Sequence, residues 1–538
     1  MNTTDLSKLK IPFAAKNEIF TKLCGASIGN SVAEEYSLPD YIPDIKRVLN
    51  TSARVSTGTH GLDGGRIVFE GDIAFTVFLL TEENTLKSVT IPCSYKNATE
   101  EIGEYSDKTE ISVISMLESA SGKLMNPRKI MLSAEVSTSV NATSQSGINP
   151  AIEGVKCAAD ELSLERDTVR TNTLTFSSDI LDSQVLSEDI VIDGQLPPAA
   201  EILCCDVEVF ISENKQVSSV LQMTGEASVT ILYTDESGKP YRIMKRVAVS
   251  SNISAGDGTD FFAVAQVSDI KTQIAADSYG ENRVIELDVT YSVLSFRMAN
   301  REVSYVSDIY SVSSDCRSQF AQRDIYTLRK CVNANFSVNA SRQSEEVNAG
   351  GSDNVIAAFV SLKKENLQYD DERKKTVFSG NAQITMLISA EEGYKSISFT
   401  EPFKYETDIQ PENGEFEYMH TMTAANIRGR IDSASVYADF EIMLGIVVLE
   451  KAPASVVACA ALGEPLAQEK SRPPLTLYYP ARGERLWDIA KHYNTTRDAI
   501  MSANNMESDT VLAEKVLLIP KSKRGSKPGK NAVFEKII

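Results

Sequence analysis

The chain is poor in the side chains from which catalytic and metal sites are usually built. Its 538 residues include three histidines and one tryptophan. His60, His420 and His492 are far apart, and no HExxH, GxSxG, phosphate-loop or GxGxxG pattern follows a strand-like run. A non-enzymatic protein without metal or cofactor is expected. The eight cysteines (24, 93, 157, 204, 205, 316, 331 and 459) contain no CxxC pair, so free thiols in a reducing compartment are expected. No segment reaches the roughly 18 apolar residues of a membrane span. The longest candidate, Ile442 to Leu449, is flanked by Glu441 and Glu450. Met1 to Lys8 lacks the basic start and apolar run of a signal peptide, which predicts an unexported, cytoplasmic chain. Excess positive charge is missing too. There are 54 Lys and Arg against 74 Asp and Glu, a net of -20, which argues against nucleic acid as a partner.

What is present is repetition. Val68 to Leu79 aligns with Gln222 to Tyr233 and with Val377 to Ile388, which places Gly71, Gly225 and Gly380 at spacings of 154 and 155. A second block, with Glu135, Asp288 and Glu441 at spacings of 153, recurs in phase. The blocks are dense in β-branched and aromatic residues and end in turn signals such as Thr234 to Pro240. The expected fold is mainly β. Three homologous, sandwich-like modules occupy residues 1–160, 161–318 and 319–463. The recurring glycine predicts a bulge or a close backbone crossing, and the recurring acids are expected to face solvent. A short helix is expected from Pro43 to Leu49, with proline in its first turn.

Residues 464–474 carry charge, serine and three prolines and are expected to form a semi-extended spacer. From Leu475 onward the balance reverses: 11 Lys and Arg stand against 7 Asp and Glu, a net of +4, on a body of -24. Leu475 to Tyr479 predicts a strand. Leu486, Ile489, Ala490 and Tyr493 predict one face of a short helix. Thr495 with Asp498 predicts a capping box for a second helix, and Val516 to Ile519 a closing strand. Trp487 lies about 100° off the apolar stripe. It serves either as an exposed anchor for a partner or as cover for a small core. His492 is expected at the solvent-facing end of the first helix. The basic segment 522–538 is expected to be solvated.

Gly483, Leu486, Ile489, Ala490, Thr495, Asn504, Leu517, Ile519 and Pro520 follow the pattern of LysM domains, which residues 475–521 resemble. The resemblance implies a small α+β unit of order βααβ. It also implies a glycan groove between two loops, Gly483–Glu484–Arg485–Leu486 and Ser508–Asp509–Thr510–Val511–Leu512. The chain departs from the usual pattern at Glu484–Arg485 and at Ala513–Glu514–Lys515. A long arginine and a lysine suit an acidic protein surface better than an acetylated sugar. The layout of three β modules before a LysM unit, with the phrase Leu38–Pro39–Asp40–Tyr41–Ile42–Pro43–Asp44, is similar to spore-coat morphogenetic proteins of the SipL type, which carry SPOCS domains. That resemblance implies a mother-cell protein at the forespore surface that docks through its LysM unit onto the ATPase of the coat basement layer. The alternative is a protein that binds peptidoglycan, a polymer containing N-acetylglucosamine.

Overall fold

The computed structural model describes residues 18–466 and 473–521, apart from 104, 107, 149–150, 154–163, 255, 257, 345–353, 392, 413, 433–434 and 511–514. The first six strands are β1 (Glu18–Ser37), β2 (Ile45–Asp63), β3 (Arg66–Thr81), β4 (Leu86–Glu101), β5 (Glu110–Asn126) and β6 (Lys129–Gly147). They form two antiparallel sheets, β1-β6-β5 and β2-β3-β4. After the short β7 (Ala151–Glu153) the arrangement recurs. It uses β8 (Leu164–Val191), β9 (Glu201–Val217), β10 (Val220–Thr234), β11 (Pro240–Ser254), β12 (Asp260–Ala275) and β13 (Val284–Ser311). The sheets are now β12-β13-β8 and β9-β10-β11. It recurs again in β14 (Ser314–Gln343), β15 (Asn354–Asp370), β16 (Lys375–Ala390), β17 (Gly393–Thr407), β18 (Glu415–Asp432) and β19 (Ser435–Pro465), as β14-β19-β18 and β15-β16-β17. One topology therefore appears three times, each with its own apolar core. The carboxyl-terminal unit adds β20 (Leu475–Tyr478), α1 (Leu486–His492), α2 (Arg497–Asn504) and β21 (Leu517–Pro520).

The alternation of side chains explains the sandwiches. Ile73, Phe75, Val77 and Leu79 on β3 are buried in the first core, at period two. Phe78 and Leu80, on the opposite face, are buried as well. They leave their own module and meet Leu232 and Leu387, the equivalent residues of the other two modules. At the other end of the body Phe20, Phe176 and Tyr326 converge. Each stands at the same register position, opposite Gln145, Met298 and Lys451. Phe20 meets the other two rings edge-on, with centroids 5.8 and 5.3 Å apart. Such ring pairs contribute about 0.5–1.5 kcal/mol beyond their area. Between these two apolar clusters the modules close head to tail: β5 lies against β15, β12 against β2, and β18 against β9. The body is a ring with pseudo-threefold symmetry.

The recurring glycines sit at ladder irregularities, as expected. The register shifts at Gly225 itself, and opposite Gly71 and Gly380. A Cβ at Gly225 would lie 2.0 Å from the Phe210 carbonyl oxygen, so only glycine fits this crossing.

The helix expected from Pro43 to Leu49 does not form. Ile45 opens β2, paired with Thr81, and its N–H donates to Pro127 O at 2.9 Å. The Arg128 guanidinium holds the carbonyls of Leu38 and Pro39 at 3.1 and 2.9 Å and also that of Ile42. The Ile42 carbonyl, which would accept the first bond of such a helix, is taken by Arg128, and Ile45 pairs into the sheet instead. Arg283 does the same at the equivalent turn of the second module, donating to Leu196 O at 2.8 Å. Of the recurring acids, Glu135 and Asp288 are exposed, whereas Glu441 is half-buried between modules. Within 464–474, Glu464 and Pro465 still belong to β19, and Leu466 N–H donates to Ser313 O. The rest of that stretch up to 472, like the basic segment 522–538, lies outside the described residues.

Candidate functional site

The carboxyl-terminal unit is built on two short paired strands, with Tyr478 opposite Leu517. That pairing brings the end of β20 and the start of β21 together, so both loops of interest leave the same end of the sheet. Leu517 and Ile519 face the helices and are buried with Leu486, Ile489, Ala490 and Ile500. Leu475, Leu477 and Tyr479 point the other way, and Leu477 and Tyr479 are 62% and 75% exposed. Gly483 turns the first loop at φ +82°, in the region that favours glycine. The Glu484 carboxylate ties this loop to the sheet. It accepts hydrogen bonds from the Tyr478 hydroxyl at 2.7 Å and from Ala481 N–H at 2.9 Å. That hydrogen bond pushes the Tyr478 phenol up to about 12.

The cap of α2 is Thr496, not Thr495. Thr496 Oγ1 accepts from Ala499 N–H at 3.1 Å. Thr495 is completely buried, and its carbonyl accepts from the Tyr310 hydroxyl at 2.6 Å. Among the described residues the Thr495 hydroxyl has no hydrogen-bond partner, and the capping oxygen is that of Thr496. Asn504 links α2 to β21: its amide donates to Leu518 O at 2.8 Å and its carbonyl accepts from Leu518 N–H at 2.7 Å.

The structure separates the nominated residues. Gly483, Arg485, Ser508, Asp509 and Thr510 are exposed, and Glu484 is half-buried. Leu486 and Trp487 are buried, and Val511 and Leu512 lie outside the described residues. Trp487 is only 3% exposed because it docks the unit onto the body. Its ring stands edge-on to Tyr310 at 4.9 Å, and the Arg497 guanidinium lies over it at 5.0 Å. Its indole N–H donates to Asp308 Oδ2 at 2.8 Å. Lys491 Nζ joins the same carboxylate at 2.7 Å. Burial alone would raise the Asp308 carboxyl, but the hydrogen bonds from Lys491 and Trp487 and the lysine charge outweigh it and hold it below its usual value. Arg485 is paired with Asp488 at 2.9 Å and reaches Asp167 at 3.1 Å. Arg497 reaches Asp167 at 3.8 Å. His492 is exposed, as expected.

Asp167, Asp308 and Tyr310 are the functional residues that sequence reasoning missed. They lie on β8 and β13, each 28 residues long against 19 for β6. The overhang, residues 303–310 with Val303, Val306, Ile309 and Tyr310 buried, is the one signal that could have exposed the platform.

Chemically, the free end of the unit presents the exposed side chains of Arg482, Ser508, Asp509 and Thr510 beside Gly483. Among the described residues no group of three or more His, Cys, Asp or Glu side chains is placed to hold a metal. No helix among them is long and apolar enough to cross a membrane. Neither a curated protein nor a solved structure matches the chain. One family model does match part of it, and a LysM domain is found at residues 481–520.

Proposed function

We propose that this chain is a non-enzymatic binding protein whose LysM unit engages a glycan of the peptidoglycan type through residues 481–484 and 508–510. One observation carries the reading. Docking onto the body consumes the outward face of α1 and the start of α2, while Ala481, Arg482 and Gly483 of the first loop and Ser508, Asp509 and Thr510 of the second stay exposed. The short, exposed side chains of Ser508 and Thr510 suit the hydroxyl and acetamido groups of such a polymer. The LysM match supports the same ligand class. The test is sedimentation of the full chain with insoluble peptidoglycan. Saturable binding is expected, weakened by Thr510→Arg with an unchanged melting curve. Absence of binding, or binding indifferent to that change, rejects the reading.

A second reading has one observation of its own. The outer face of β20 presents Leu475, Leu477 and Tyr479 to solvent, an apolar strip suited to a protein. The layout resemblance names that partner as the ATPase of the spore-coat basement layer, met at the forespore surface. The residues first nominated for this contact, Trp487 and Arg485, are engaged by Asp308 and Asp167, so a partner using them would have to undock the unit. Leu477→Asp should abolish capture of the ATPase and leave peptidoglycan binding intact. Full capture by that variant would remove the strip as the contact.

A further inference from the structure

Between the two apolar clusters of the body lies a cavity of about 820 Å³, lined by all three modules. That volume falls within the range of small-molecule sites, about 300–1,000 Å³. The register of the ladders identifies equivalent positions on its wall. Ser52, Asp206 and Phe359 each pair with the same threonine of the repeat, Thr76, Thr230 and Thr385. Two residues on, Arg54, Glu208 and Ser361 are likewise equivalent, opposite Ala74, Ser228 and Gln383. At the ends of the ring the equivalent residues are alike: Phe20, Phe176 and Tyr326 at one, Phe78, Leu232 and Leu387 at the other. In the middle they are not. The first module offers a cation, the second two anions, and the third an aromatic ring and a hydroxyl. A ring held only by packing gains nothing from charges at its centre, because buried charge is costly unless paired.

These charges are not fully paired. Glu208 accepts from the Thr423 hydroxyl at 2.8 Å. The Asp206 side chain is exposed to the cavity, and among the described residues its only hydrogen-bond support is the neighbouring Val207 N–H. Arg54 acts on it across a gap, without an ion pair or hydrogen bond among the described residues. The other charges on the wall, Glu118 and Lys363, satisfy each other at 3.0 Å. Burial drives both acids of the pair up, Asp206 against the pull of Arg54, and Glu208, with Asp206 adding to the rise, to about 7. Arg54 acts on both acids from a distance, and among the described residues no cation forms an ion pair with either.

We propose that this cavity is a binding site for a small primary amine, held between the carboxylates of Asp206 and Glu208. Alternate residues of a strand stand about 6.6 Å apart on one face, which lets one ammonium reach both carboxylates at roughly 2.8 Å each. The donor set falls short of a metal cage, which wants six or more oxygens for the larger hard cations. Phe210 and Phe359 on the same wall provide apolar surface for an alkyl chain. Arg54 opposes the bound ammonium and keeps affinity moderate. This site is independent of the LysM reading.

The test is calorimetric titration of the full chain with putrescine, and with 1,4-butanediol as the uncharged isostere. Putrescine should bind saturably and butanediol should not. Asp206→Asn and Glu208→Gln should each weaken binding by about tenfold or more, as expected for loss of a charged hydrogen bond. Arg54→Gln should strengthen it several-fold, a change that misfolding cannot imitate. No saturable heat with putrescine, equal binding of the diol, or an Asp206→Asn variant with unchanged affinity overturns the proposal.

Discussion

The body and the LysM unit solve the same problem, covering apolar surface, at opposite scales. The body pairs strands whose partners are 92 to 147 residues apart, such as β1 with β6 and β8 with β13, and closes three sandwiches around shared clusters. The LysM unit uses two four-residue strands and two short helices, all local in sequence, and its core is completed by Tyr310 of the body. Small units bury too little surface to be robust alone. The body is stable by mutual closure, and the small unit by leaning on the body.

The sharpest way to break that comparison is to open the ring at its axis. Phe78 is fully buried where three modules meet. Phe78→Ala should cost about 3–5 kcal/mol through lost burial and the cavity left behind. Because its neighbours belong to all three modules, the loss should appear in one cooperative transition, followed in urea by far-ultraviolet circular dichroism. Leu486→Ala, with a comparable local effect of about 2–5 kcal/mol, should melt only the LysM unit. Three separate body transitions would show that the modules are independent and the ring incidental.

The second test sets equivalent glycines against each other. At Gly225 an added Cβ meets backbone, Phe210 O at 2.0 Å, whereas at Gly71 it meets the end of the Tyr95 side chain at 2.5 Å. Backbone cannot step aside, and a ring can. Gly225→Ala should cost about 3 kcal/mol, and Gly71→Ala clearly less, both measured as urea midpoints at constant slope. Equal costs would mean that Tyr95, hydrogen-bonded to Ser115 at 2.6 Å, is as immovable as the ladder.

These cases also show what the sequence makes legible. The strands, the triplication and the glycine irregularities follow from period-two burial and recurring residues, which are local facts. The strand at Ile45 is not local: it depends on Arg128, more than eighty residues away, taking the carbonyls of the preceding turn. The orientation of Trp487 is not local either. Helical periodicity places it off the core stripe, which is where it lies, but the surface covering it comes from β13. The cap of α2 lies one residue beyond the one the sequence pattern predicts: Thr495 is buried with its carbonyl on Tyr310 of the body, and Thr496 Oγ1 takes the Ala499 N–H. The axial cavity is created by closure between modules, so no window of sequence contains it.

A third test separates the unit from its support. Asp308→Ala removes the acceptor of both Trp487 and Lys491. Lys491 is partly solvated, so the expected loss of docking is moderate, about 1–2 kcal/mol. Trp487 is the chain's only tryptophan and reports directly: its emission should shift to the red while the far-ultraviolet signal of the body is unchanged. Acid should act on the native chain in the same direction. The Asp308 carboxyl is held below its ordinary value of 3.8. A lowered carboxyl contributes stability that is present above the ordinary value and lost as pH falls through the folded one. Docking should therefore be constant at neutral pH and weaken below about pH 4. A red shift beginning near neutrality would assign the contact to other groups.

The smallest effect divides three acids that look alike in sequence. Glu135 and Asp288 accept from a serine on the adjacent strand, Ser31 at 2.6 Å and Ser187 at 2.5 Å, and stay exposed. Glu441 stands at the same place in the repeat but bridges modules. It pairs with Arg246 of the second module at 2.7 Å and accepts from Asn426 at 3.0 Å and Asn335 at 3.4 Å. Burial works against its charge, and these partners together outweigh it and keep the carboxyl below its usual value. The Arg246 side chain is 50% exposed, so screening limits the pair. Glu441→Gln should cost about 0.5–1 kcal/mol, diminishing at high salt, while Glu135→Gln and Asp288→Asn should leave the urea midpoint of the body unmoved. If all three behave alike, closure of the ring rests on its apolar clusters alone, and the charge carried between the second and third modules contributes nothing to it.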